Sequence, residues 1–404
     1  MKKVQENANF SSLDLEEFLP QDLIKIHPHS PSLHYSHAIF EGMSLIKVDR
    51  KLHLFHPWLN LERMRHNANE VGIDMRKFAD KKIIENIFSL AALNGFHNGR
   101  LRSPVIQRAG KSVNRFYVRP LLFVEADSIG LGANMTPHLL LSTMQMGEYL
   151  RYEKEKGIDV MLYPFPRTLQ LPSVKTASNY QIGIVSRLKM KQFNQRYNER
   201  CSETIFENSN GDIIEGSGEN VILLRENEII SPNPKEGAIP GITLRMLSII
   251  AQKFGLKFRF GTFKLSDLHE NDCLFLSGNA AGIIPVASIA EVDGEFGLRK
   301  WHRLRSAENE LFQKLRNEYE MMETAQGEYS KYHACMDDWI DDAEKERLFS
   351  CAERFMQKVE RISRKGICDF AGASPRPSIE HAFCANSILG NFGLKNFYGE
   401  GRRG

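Results

Sequence analysis

Apolar and polar residues alternate along SHAIFEGMSLIKV (36–48) and KLHLF (51–55), the period-two pattern of half-buried strands. Pro57 then opens a helical pattern, with Leu59, Met64, Ala68 and Val71 near one stripe. A second helix is predicted over 76–94, stopped by Asn94-Gly95. RFYVRPLLFVEA (115–126) and HLLLSTMQM (138–146) read as buried strands. The charged, weakly patterned stretch EYLRYEKEKGI follows and reads as a link between two domains. Beyond it the pattern gives a strand at 158–163, a helix at 178–192 and short strands over 203–231 around Asn208–Gly211. Pro240-Gly241 breaks the chain before an amphipathic helix over 242–255, and strands follow at 273–278 and 283–292. From about 298 the chain reads as helical throughout. Mixed elements without a regular βαβ rhythm indicate an α+β fold.

A length of 404 residues suits two domains and a smaller third unit: 1–145, a link at 146–156, 157–322, and a helical extension over 323–404. In that extension Met336, Trp339, Ile340, Leu348, Cys351, Phe355, Val359 and Ile362 fall near one face of a helix predicted over 335–362. A formal charge of +3 gives no general reason to expect nucleic acid or an anionic membrane surface. No apolar run approaches the roughly 20 residues of a membrane span, and no secretory signal is apparent, so a cytoplasmic location is expected. Six cysteines stand singly. Cys335, Cys351, Cys368 and Cys384, with His333 and His381, lack the paired spacing of zinc sites, and no metal is expected.

Three stretches carry candidate chemistry. Lys175 lies among small, polar and apolar neighbours in LPSVKTASNYQ, where a partly desolvated amine becomes a nucleophile. Glu215 ends a strand at a glycine-rich turn, placed to face a heterocyclic nitrogen. GAIPGITLR sets Ile242 and Thr243 at a helix start, whose N–H groups and dipole suit an anion. Taken singly these are a surface lysine, a hairpin carboxylate and a plain helix start. Taken together they are a covalent anchor, a ring-nitrogen partner and a phosphate grip, the needs of pyridoxal phosphate.

HYSHAIFEGM, LERMR, YVRPLLF, VKTASNY, IIEGSGEN, IPGITLR and LSGNAAGIIPV occur in the order seen in branched-chain amino acid aminotransferases. Over about residues 33–318 the chain resembles these fold-type IV pyridoxal phosphate enzymes, which have a small N-terminal α/β domain and a larger barrel-like α/β domain. The resemblance implies that Lys175 carries the cofactor as an internal aldimine, that Tyr180 bonds its phenolate oxygen and that Glu215 partners its ring nitrogen. It implies that Arg63, Ile242 and Thr243 grip the phosphate, that Ile239 packs on the ring, and that Asn279, where threonine is usual, donates an amide to the phosphate. It places Tyr35, Phe40, Tyr117, Arg119, Tyr149 and Ala280 around the substrate. The implied activity is ping-pong transamination of leucine, isoleucine or valine with 2-oxoglutarate by a homodimer or higher homo-oligomer. A specialised transaminase for another amino acid, and a binding protein that has lost turnover, are the alternatives. The chain departs from the pattern in its first 30 residues, in longer segments at 104–116 and 193–203, in GEFGLRKWHR where a glycine-rich helix start is usual, and in the extension.

Overall fold

The computed structural model describes residues 10–99, 104–150, 153–168, 171 and 173–368. The first sheet is built from β1 (Phe10–Leu13), β2 (Glu17–Pro20), β3 (Ala38–Phe40), β4 (Met43–Val48), β5 (Lys51–Phe55), β6 (Val105–Arg108), β7 (Lys111–Ala126) and β8 (Met135–Gln145). Its order is β5-β4-β7-β8-β1-β2, with β3 and β6 also paired to β7. Helices α1 (Pro31–Tyr35), α2 (Pro57–Glu70) and α3 (Asp80–Leu93) accompany it. Leu61, Met64 and Ala68 of α2 enter the core of this sheet, whereas Leu59 packs against the core of the second, so α2 is wedged between them.

The single strand expected over 36–48 is two strands, broken at Glu41-Gly42. The break lies opposite Pro120. β3 pairs as far as Phe40↔Leu121 and β4 resumes at Met43↔Val118. Glu41 N–H donates to the Pro120 carbonyl at 2.9 Å, so the edge of Pro120 that lacks an N–H faces this gap. The kink turns Glu41 inward.

The second sheet comprises β9 (Ile158–Leu162), β10 (Glu203–Glu207), β11 (Ile213–Gly216), β12 (Asn220–Arg225), β13 (Glu228–Ser231), β14 (Lys257–Phe260), β15 (Cys273–Gly278), β16 (Gly282–Val292) and β17 (Leu298–Arg303). The path β11-β10-β9-β16-β15-β12 closes on itself through a β11–β12 pairing, giving a barrel. Around it lie α4 (Gln181–Tyr197), α5 (Ile242–Lys253) and α6 (Glu310–Glu323). The stretch GEFGLRKWHR is not a helix start: Leu298–Arg303 is a strand antiparallel to β16, with Ala290 opposite Trp301.

Residues beyond α6 return to the first sheet and are not purely helical. β18 (His333–Cys335) pairs antiparallel with β5, and α7 (Asp342–Cys368) runs against α3. The helix expected from 335 starts only at Asp342. Ala334, Met336, Ile340, Leu348 and Ala352 join the core of the first sheet, and burial of Leu348 alone stabilises by about 1.5–3 kcal/mol. The side chains of Phe355, Val359, Ile362 and Cys368, and all of His381 and Cys384, lie outside the described residues. Among the described residues no helix is long and apolar enough to cross a membrane, and no three His, Cys, Asp or Glu side chains form a metal-sized group.

Where β18 meets β5, His56 and His333 are enclosed around Phe55. Burial drives His56 down to about 3, helped by His333 and Arg245, and drives His333 down to about 4, helped by His53. Both are neutral when folded and take protons more readily when unfolded. Stability is therefore expected to fall as pH drops below about 6.5, by about 1.4 kcal/mol for each histidine at pH 5.5. Urea unfolding at pH 7.5 and 5.5 checks this, and replacing both by Gln should flatten the dependence.

Candidate active site

The site lies where the end of the barrel meets β3, β4 and β7. Lys175 sits in the loop after β9, just before a short 3-10 turn (Ala177–Tyr180). Asn179 pins that loop by donating to the carbonyls of Leu171 and Val174, each at 2.9 Å. Thr176 ties it to β3, with its hydroxyl donating to the Ala38 carbonyl at 3.1 Å. The Lys175 amine donates to the Tyr180 hydroxyl and stands 4.5 Å from the centroids of both the Phe40 and Tyr180 rings. Burial lowers its pKa to about 7, with Arg63 and Arg119 adding to the drop and Glu41 and Glu215 opposing it. Much of this amine is therefore neutral at neutral pH, as a nucleophile or base requires.

A cavity of about 620 Å³, mouth included, opens in front of this amine. Its walls include Arg63, Tyr117, Lys175, Tyr180, Glu215, Ile239, Ile242, Thr243, Asn279 and Ala280. Phe40 and Arg119 stand just behind them. The Phe40 and Tyr180 rings are 4.8 Å apart, and the Arg119 guanidinium lies 4.3 Å from the Phe40 centroid and donates to the Tyr117 hydroxyl at 2.8 Å. Two expected residues lie elsewhere. Tyr35 is 41% exposed on α1, outside the cavity. Tyr149 borders a neighbouring cleft, close to Gly218.

Glu215 is buried at the end of β11. It pairs with Arg167 at 2.5 Å and accepts the Ile239 N–H at 3.0 Å. Burial pushes its carboxyl up, while Arg167, that N–H and Lys175 pull it back down. Helix α5 begins at Gly241 with no side-chain cap, so its first N–H groups are free for an anion. A Cβ on Gly241 would come within 1.9 Å of Asn220 Oδ1, so any side chain at this entry would have to displace the Asn220 amide. Arg63 is held by Glu41, with Nε to Oε1 at 2.7 Å and Nη2 to Oε2 at 2.8 Å, and by the Pro240 carbonyl at 2.9 Å. Three of its five N–H groups are so engaged, and two are left for a ligand.

Asn279 lines the cavity, and its amide is held from two sides. Its Oδ1 accepts the Thr243 hydroxyl at 2.9 Å and its Nδ2 donates to the Gly42 carbonyl at 2.7 Å, so it joins the two halves of the cavity. Glu41, Arg167 and Glu219 are site residues that the sequence reading missed. Glu219 lines the cavity, and burial beside Glu203 pushes its carboxyl well above its ordinary value. Each of the three owes its place to a partner distant in sequence. Glu41 and Glu219 nonetheless lie within HYSHAIFEGM and IIEGSGEN.

An anchoring amine, a buried carboxylate and an uncapped helix start beside an arginine converge on one cavity, and a phosphorylated pyridine aldehyde fits this donor set. The family model for amino-transferase class IV matches residues 38–289. The chain belongs to that family. It is a pyridoxal phosphate-dependent aminotransferase. It is 26% identical to the branched-chain-amino-acid aminotransferase of Salmonella typhimurium (strain LT2) over 270 residues, 66% of this chain and 80% of that one. The counterpart from Escherichia coli K12 gives the same identity and coverage. Among solved structures, the branched-chain aminotransferase of Thermoproteus uzoniensis with norvaline superposes with a TM-score of 0.66 at 21% identity, over 81% of this chain and 99% of that one. The branched-chain amino acid aminotransferase of Thermobaculum terrenum in its pyridoxal phosphate form gives 0.65 at 17% identity, over 82% and 99%. Likeness at such identity shows the shared fold-type IV architecture, here an α+β sheet joined to a barrel.

Proposed function

We propose that this aminotransferase moves the amino group of leucine, isoleucine or valine to 2-oxoglutarate. The observation that carries the reading is the cluster of Phe40, Tyr117 and Arg119 beside Lys175, which joins apolar ring faces to a cation. Ring faces suit a branched aliphatic side chain, and the guanidinium with the Tyr117 hydroxyl suits the distal carboxylate of glutamate. The names of the sequence relatives point the same way.

When bound, pyridoxal phosphate would supply the carbonyl that the substrate amine joins and the ring that takes up the electron pair left on Cα when its proton is removed. On this reading Arg63 and the N–H groups of Ile242 and Thr243 hold the phosphate, Glu215 keeps the ring nitrogen protonated, and Ile239 packs on the ring. Neutral Lys175 would take the Cα proton at Nζ and hand it back across the substrate nitrogen, to the carbon that the cofactor's aldehyde supplies. Tyr180 holds that amine by its hydroxyl while the proton moves. Amino donor and 2-oxo acceptor use one site in turn, so kinetics are ping-pong. The reading includes a homodimer, in which exposed Tyr35 on α1 serves the cavity of the neighbouring copy.

A donor panel tests the substrate assignment: leucine, isoleucine and valine should all exceed alanine, aspartate and phenylalanine in kcat/KM by about tenfold or more. Activity confined to one unrelated amino acid would point instead to a specialised transaminase. A monomer on sedimentation with full activity would contradict the role given to Tyr35.

A further inference from the structure

Along β7, residues two apart share a face, so Arg115 continues the side of the strand that carries Tyr117 and Arg119. Arg115 is 1% exposed, among the largest fully buried side chains of the protein. It reaches across to the turn between β15 and β16. Its Nη1 donates to the Ala280 carbonyl at 2.7 Å, and its Nη2 donates to the Asn279 carbonyl and to Ser44 Oγ at 3.0 Å. Ser44 Oγ itself donates to the Asn279 carbonyl at 3.1 Å. Behind Arg115, Glu323 at the end of α6 pairs with its Nη2 at 3.3 Å and with Arg108 at 3.3 Å. The guanidinium is thus neutralised from the rear and clamps two successive carbonyls in front.

In a trans peptide the C=O and the following N–H point in opposite directions, and no peptide among the described residues is cis. Two carbonyls converging on Arg115 therefore turn the N–H groups of Ala280 and Ala281 away from it. Asn279 and Ala280 wall the cavity on that side. We propose that Arg115 is a positioning residue for substrate: it orients the Asn279–Ala280 turn so that its N–H groups receive the carboxylate of the incoming amino or 2-oxo acid. The proposal rests on the aminotransferase reading above. It assigns to a buried arginine that touches neither substrate nor cofactor the selection for an acid over a simple amine. Through Asn279 the same clamp also steadies the Thr243 hydroxyl.

The test uses holoenzyme and two probes, isocaproate (a carboxylate without an amine) and isoamylamine (an amine without a carboxylate). The variants are Arg115→Lys and Arg115→Met/Glu323→Gln, the second removing both charges of the pair, while Arg108, the other partner of Glu323, keeps Glu148 at 3.4 Å. Cofactor content is read from visible absorbance and folding from thermal unfolding. In the double variant isocaproate affinity should fall about tenfold, with reaction of isoamylamine changed less than about twofold. Arg115→Lys should lie between, with KM for leucine raised more than kcat is lowered. Unchanged isocaproate affinity, or equal weakening of both probes, would overturn the proposal. Failure of the underlying reading is separate and appears earlier, as parent enzyme that converts no amino acid.

Discussion

Lys175→Ala is expected to lower turnover by about 10⁴-fold or more, because on the proposed reading one amine serves as both anchor and base. The fold should survive. The amine is enclosed and its pKa is drawn down to about 7 mainly by burial, so at neutral pH the folded state binds fewer protons there than the unfolded chain. Removing the group removes that penalty, and the melting temperature should hold or rise. Asn179, Thr176 and the Ala38 carbonyl, which fix the loop, are untouched. Added methylamine should restore part of the proton transfer. Steady-state assay with matched thermal melts checks the prediction, and near-parent turnover would remove Lys175 from the mechanism.

Glu215→Ala is expected to be costly in two ways. It leaves Arg167 buried without its partner, at a cost of about 3–5 kcal/mol. On the proposed reading it also removes the charge facing the ring nitrogen, with an expected loss of about 10²-fold or more in kcat. The two effects separate in Glu215→Leu/Arg167→Met, which exchanges the pair for apolar groups of similar size. Stability should recover toward the parent value while turnover stays low. Recovery of both would mean that the pair is structural only. Urea titrations beside kcat measurements on the two variants decide the matter.

The parts of this site legible in the sequence were those whose chemistry is local. Lys175 and Tyr180 sit one turn apart in a loop, and Pro240-Gly241 announces an uncapped helix start whatever the rest of the fold does. Arg167, Glu41 and Arg115 were not legible in these roles, because each is defined by a partner reached only after the chain folds: Glu215, Arg63 and the carbonyls of Asn279 and Ala280. Asn279 was visible as an unusual residue, yet its role turned on Thr243 and Gly42, one on each side of the cavity. Helix and strand periods predicted most of both sheets. They failed at Leu298–Arg303, where no side chain is fully buried and so no alternation marks the strand. They failed again at His333–Cys335, too short to show a period, where pairing with β5 overrides local pattern. Pro120 was visible inside the YVRPLLF strand, but the break it faces at Glu41-Gly42 needed the register of three strands.

The central claim is that Lys175 holds pyridoxal phosphate in the cavity between sheet and barrel. Purified enzyme should show a visible absorption band that borohydride removes, and peptide mapping should then find the reduced pyridoxyl group on Lys175. A group mapped to another lysine, or no band after addition of pyridoxal phosphate, would contradict the account.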